Sequence, residues 1–94
     1  MDEHKIQQIL EHYTPEQQTV KAIEEFAELQ KELAKILNKQ GETFDLFCEM
    51  ADAFIMLVQI MSIYDISPEK LDKEIAYKLD RQLSRIEEEK NERD

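Results

Sequence analysis

The chain has 94 residues, enough for one small domain that hides only a little over half of its unfolded surface, so extra burial against a second copy is expected. Its 22 acidic side chains against 12 basic ones give a formal charge of −10. That balance argues against nonspecific binding to nucleic acid, which needs a basic face to displace counterions.

The composition is helical, with one glycine and two prolines among long runs of Glu, Lys, Leu, Ile, Ala and Gln. Cys48 is alone, so an intrachain disulfide is impossible and a reducing compartment is expected. The opening stretch MDEHKIQQILEH is too polar for a signal segment, and the charge-free run from Ala53 to Tyr64 is too short to span a bilayer. A soluble cytoplasmic protein is the expectation.

Residues 2–12 read as a first helix with Ile6, Ile9 and Leu10 on one face. Thr14-Pro15-Glu16-Gln17 then reads as a helix start: Thr14 as cap, Pro15 as first helical residue, Gln17 as the return arm of a capping box. The second helix runs from Pro15 to about Lys39, with Val20, Ile23, Phe26, Ala27, Leu33, Ala34 and Leu37 as its apolar face. Gly41 sits where a C-terminal cap is wanted, and Thr43 is placed to cap a third helix from Phe44 to about Tyr64. Ser67-Pro68 repeats the cap-plus-proline signal for a fourth helix, whose last residues, about 88–94, are expected to fray. No strand pair or repeat is visible. The short connections predict an all-α, antiparallel four-helix-type bundle, forming a single domain over 1–94 and assembled as a dimer or tetramer.

The third helix is apolar nearly all round, as a helix buried on most sides would be. One narrow wedge breaks the pattern, holding Asp45, Glu49, Asp52 and Gln59. An unpaired carboxylate there costs several kcal/mol or shifts its pKa upward. No Lys or Arg lies between residues 40 and 69 to neutralise Glu49 and Asp52. In the second helix Glu25 and Glu28 are again three apart, with Glu32 one turn on. If the two helices pack antiparallel, four carboxylates converge, a cluster best explained by a hard cation such as Mg²⁺ or Mn²⁺. Two plainer readings stand beside this. Glu24, Glu25 and Glu28 with Lys21, Lys31 and Lys35 also fit a solvated face of i,i+3 and i,i+4 pairs. A cation from another helix would equally neutralise Glu49 and Asp52.

Glu24-Glu25-x-x-Glu28 followed by Glu49-x-x-Asp52 resembles the EExxE…ExxD signature of the MazG-like superfamily, the all-α nucleoside triphosphate pyrophosphatases. The resemblance covers roughly residues 15–90. It implies an oligomeric helical bundle that hydrolyses the α–β phosphoanhydride of nucleotides, with Glu25, Glu28, Glu49 and Asp52 as the Mg²⁺-binding acids. Glu25 and Glu28, and less securely Glu24, the first acid of the signature, would then carry the catalysis. Family members carry phosphate-binding basic residues after the second acidic pair; Lys78 and Arg81 match, on a stripe with Arg85 in KEIAYKLDRQLSRI. Those bases equally fit surface pairs with Glu74, Asp80 or Glu88. Tyr13, Phe44 and Phe47 are available to stack on a base, although aromatics at helical spacing more often belong to a core. His4 and His12 read as surface residues. Base and sugar preference is open, with dUTP, dCTP and phosphoribosyl-ATP among the candidates. The reading from a different class is a non-catalytic helical module whose third helix serves as an oligomer core.

Overall fold

Three of the four helices begin where a side chain serves a free amide of the first turn. In a computed structural model, which describes residues 1–93, Asp2 caps α1 (Glu3–His12) by accepting from the Lys5 amide at 3.1 Å. The capping box at α2 (Pro15–Leu37) is complete: the Gln17 amide donates to Thr14 Oγ1 at 3.1 Å, and the Thr14 amide donates to Gln17 Oε1 at 3.0 Å. Ser67 caps α4 (Pro68–Arg93) through the Lys70 amide at 3.3 Å. The start of α3 (Thr43–Ile63) departs from expectation. Thr43 is already helical, and the extended residue before it, Glu42, makes no side-chain cap bond. Its carbonyl instead accepts from the amides of Asp45 and Leu46, which satisfies two donors through the backbone.

The helix ends correct a second expectation. α2 stops at Leu37, and the left-handed residue that ends it is Lys39, with φ 61°, rather than Gly41. Gln40 donates to the Lys35 carbonyl at 2.8 Å and Lys39 to that of Ile36 at 3.0 Å, the paired bonds of a Schellman turn. α3 ends the same way. Asp65 has φ 52°, Ile66 donates to Met61 at 2.8 Å, and Asp65 donates to Ser62 at 3.4 Å. Gly41 is required for a different reason. A Cβ there would lie 2.9 Å from Lys35 Cβ and 3.1 Å from the Ile36 nitrogen, so the missing side chain lets the connection fold back onto α2. Lys39, by contrast, has a Cβ where only glycine is comfortable. Lys39→Gly should therefore stabilise the fold by about 0.5–1 kcal/mol, once the greater freedom of glycine in the unfolded chain is set against the relieved strain. Thermal unfolding checks this, and a melting temperature that stays level or falls would show that Lys39 is unstrained.

The short connection folds α2 and α3 into an antiparallel hairpin, closed at its open end by a 2.7 Å hydrogen bond between the Thr19 and Tyr64 hydroxyls. Small residues, Ala22 and Ala53, are buried in the hairpin and let the two backbones approach. α1 packs across α3 and buries Ile6. The chain is thus all-α, with no strand among the described residues. The four-helix bundle is not closed within one chain. α4 buries none of its described residues, and it continues as helix to Arg93, past the point where its composition predicts fraying; Asp94 lies outside the described residues.

The expectation that α3 is covered on most sides also fails inside a single chain. Its outward stripe is open to solvent, with Phe47 67 % exposed and Phe54 58 %. Met50 and Leu57 on the same stripe are exposed as well. α3 is also long and apolar enough, by length and composition, to cross a membrane. The molecule is correspondingly extended. Its radius of gyration is 17.3 Å, against about 12 Å for a compact chain of this length. Its accessible surface is 8066 Å², against about 5,700 Å² for a folded monomer of this mass.

Candidate metal centre

The hairpin brings the two acidic motifs to one place. Glu25 on α2, and Glu49 and Asp52 on α3, each offer a carboxylate oxygen, and these three oxygens lie within 4.8 Å of one another. The spacing explains it: residues three apart on α3 share a face, and the antiparallel hairpin turns that face toward the Glu25 stripe of α2.

Glu49 is the most perturbed member. Its Oε2 is sealed from solvent and has no hydrogen-bond partner. Its carboxyl pKa is raised above the ordinary 4.5, first by burial and then by the negative charges of Asp52, Glu25, Glu28 and Glu32. No basic group is among the causes acting on it. Glu25 is better served, because Lys21 Nζ lies 3.1 Å from its Oε1. That hydrogen bond and then the Glu25 charge raise the Lys21 pKa; burial opposes them, and the lesser charges of Glu24 and Asp52 add to the rise. The plainer reading of the α2 acids therefore holds in part. Lys21 satisfies Glu25 by an i,i+4 pair, and Glu49 is left without a counter-charge.

The remaining predicted acids fall outside the trio. Glu28 is exposed, although its charge still reaches Glu49. Glu24 stands largely in solvent, 4.0 Å from Lys21. Glu32 was legible as the next turn of the same stripe but lies beyond the four-acid motif, and it is more deeply placed than Glu28. Only 8 % exposed, it accepts from Lys35 Nζ at 3.2 Å through Oε1, while its Oε2 is buried without a partner. Two orphaned carboxylate oxygens thus lie along one seam of the hairpin. Each is shut off from solvent with no donor on it, in the kind of place where an unpartnered anion is costly.

The predicted phosphate-binding residues are not gathered to this cluster by one chain. Lys78 Nζ lies 4.0 Å from Glu74 on its own helix, and the Arg81 guanidinium sits 5.8 Å from the centroid of the Tyr77 ring. Both belong to α4, the helix that packs least against the others. Of the aromatics considered for stacking, Phe44 and Phe47 stack on each other at 6.2 Å and are exposed. Tyr13 is half-exposed beside the end of α1.

Chemically, the trio is an all-oxygen, strongly negative donor set with one member forced toward its neutral form. It suits a hard divalent cation, which would neutralise the mutual repulsion and occupy the lone pairs that no side chain serves. Compared with known proteins, the chain matches no family model, no curated protein and no solved structure.

Proposed function

We propose that the chain is a Mg²⁺-dependent nucleotide pyrophosphohydrolase of the MazG-like type, converting a nucleoside triphosphate to its monophosphate and pyrophosphate. The observation that carries this reading is the convergence of Glu25, Glu49 and Asp52 around the orphaned Glu49 Oε2. Acids from both halves of the EExxE…ExxD pattern meet, and although Lys21 pairs with Glu25, no side-chain cation serves Glu49.

Glu25, Glu49 and Asp52 would hold Mg²⁺, or Mn²⁺ in its place, with Glu28 at the exposed edge of the same stripe. The bound ion would supply charge neutralisation for the phosphate oxygens. The chain's own task is orientation and proton removal. Glu28 is the solvent-facing carboxylate beside the trio and so the residue suited to take a proton from an attacking water, with Glu24 the weaker candidate. Lys78 and Arg81 would meet the phosphates from α4 of a second copy, since in their own chain they engage only α4 residues.

A homodimer or homotetramer is part of this reading. About 2,400 Å² of surface beyond that of a compact monomer is within the range that obligate interfaces cover. The outward stripe of α3 and the apolar stripe of α4, Leu71, Ile75, Leu79, Leu83 and Ile86, are the faces a second copy would cover. The same exposed stripes favour the second reading, a non-catalytic oligomerisation module. The two separate on chelation.

Pyrophosphate release over a panel including dUTP, dCTP, noncanonical triphosphates and phosphoribosyl-ATP should be seen with Mg²⁺ and vanish with EDTA. Mg²⁺ should also raise the melting temperature. No release from any nucleotide by folded protein at micromolar concentration would leave the interaction module as the surviving reading.

A further inference from the structure

Among the described residues, Lys21 alone places a side-chain cation on the acidic trio. Its Nζ lies 3.1 Å from Glu25 Oε1 and 4.0 Å from Glu24. The charge of Asp52 also acts on it, so the ammonium belongs to the cluster rather than to Glu25 alone. The other described ion pairs, Lys35 with Glu32, Lys78 with Glu74 and Lys90 with Glu87, include no member of the trio.

Lys21 holds Glu25 loosely. The lysine side chain is 59 % exposed and the glutamate 16 %, so the acid is fixed in the seam while the base stands free to swing into water. On a helix, lysine four residues before glutamate is the poorer of the two orders for such a pair. The ammonium is a compact, strongly hydrated charge on a flexible stem, and leaving the pair restores its full hydration. Nor does the pair serve the group in greatest need, since Glu49 Oε2 has no partner with Lys21 in place. A divalent cation shared by the three carboxylates would serve all of them, but at Glu25 it meets a positive charge already there.

We propose that Lys21 is a resident competitor for the divalent cation: it holds Glu25 in the metal-free protein, yields that carboxylate when the ion binds, and thereby sets the ion affinity of the site. This deepens the hydrolase reading by giving its metal centre a built-in regulator, and it rests on that centre but not on the hydrolysis. The ion pair stabilises the metal-free chain and opposes the loaded one. One substitution should therefore move two quantities in opposite directions.

Lys21→Met keeps the apolar stem and removes the charge. In EDTA it should melt below the wild type, because Glu25 then joins Glu49 without a counter-charge. Yet calorimetric titration should find Mn²⁺ bound roughly tenfold more tightly, the scale of removing one positive charge from beside a dication in a solvated site. Lys31→Met, the same change of charge on α2 at a lysine outside the described ion pairs, should alter Mn²⁺ affinity by less than about twofold. In the wild-type chain Mg²⁺ should shift the Lys21 Cε–Hε NMR signal more than that of any other lysine, a readout that stands even where the variant folds poorly. Mn²⁺ binding that is unchanged or weaker in folded Lys21→Met, or a Lys21 signal that Mg²⁺ leaves in place, overturns the exchange while the metal centre survives. No Mn²⁺ binding by the wild type overturns the centre and the exchange together. Ion binding that follows these expectations without pyrophosphate release upholds the exchange and removes the hydrolysis alone.

Discussion

Glu49→Gln should raise the melting temperature of the metal-free protein while lowering pyrophosphate release by at least about a hundredfold, the scale on which a single charge-stabilising group matters to catalysis. The two effects have one cause. Without a cation, burial and the four neighbouring acids disfavour the charged form of Glu49. The amide keeps the shape, removes that charge, and offers a donor where Asp52 and Glu25 present carboxylate oxygens. The pH dependence has a definite sign. Because the folded state raises the Glu49 pKa above 4.5, the folded chain keeps a proton that the unfolded chain has released in the window between 4.5 and the raised value. The Glu49 contribution therefore falls as pH rises through that window, and the deficit persists at pH 7. The substitution should remove this slope. It should equally remove the stabilisation by Mg²⁺, which follows from cation binding to the folded state alone. A variant less stable than wild type in EDTA would show that Glu49 is satisfied in a way its orphaned oxygen does not suggest. Unchanged turnover would detach it from the chemistry.

The meeting of Glu25 with Glu49 and Asp52 was legible because it depends on periodicity, although Glu28, the fourth acid expected there, stays outside the trio. Residues three apart share a helix face, and a five-residue connection from Asn38 to Glu42 leaves α3 little choice but to fold back on α2. Thr14 and Ser67 were equally readable, since a hydroxyl one residue before proline has few other uses. What sequence did not yield are features set by three-dimensional crowding. Gly41 looked like the left-handed cap, but that conformation falls on Lys39, and the glycine is needed because Lys35 and Ile36 stand where its side chain would be. Glu32 and Lys21 were indistinguishable from ordinary members of a charged face until the hairpin buried one and set the other beside Glu25. Gln18 carries no periodic signal at all. Its role comes from the corner between α1 and α2, where two backbone carbonyls fix its amide. The all-round apolar pattern of α3 predicts cover on most sides, yet the chain covers it on one side only, because α4 does not pack over the other.

Phe54→Glu should convert the assembled protein to monomers. The outward stripe of α3, Phe47, Met50, Phe54 and Leu57, recurs at three- and four-residue spacing along one side of the helix opposite the acidic trio. Two occupants compete for it, a second copy and a lipid bilayer. The bilayer is disfavoured because Asp52 falls inside every 18-residue span that α3 offers, and an acid at the centre of a membrane helix costs about 2.5–3.5 kcal/mol. Facing another copy, the stripe is covered while the acids remain in the hairpin seam on the other side. An aromatic side chain covers roughly 150–250 Å², and with Phe54 58 % exposed about 100 Å² of it remains to be buried. At about 25 cal/mol per Å² this is roughly 2.5 kcal/mol per ring. A two-fold interface uses the same residue twice, so the loss is about 5 kcal/mol, or between three and four orders of magnitude in dissociation constant. Adding two buried carboxylates makes it larger. Light scattering through a dilution series should find the wild-type chain assembled at micromolar concentration and Phe54→Glu monomeric there, with pyrophosphate release falling in step if Lys78 and Arg81 act across the interface. A wild-type chain that stays folded and monomeric at every concentration would refute the assembly. Partition of the wild type into neutral vesicles, with no self-association in their absence, would assign the stripe to the bilayer despite its two acids.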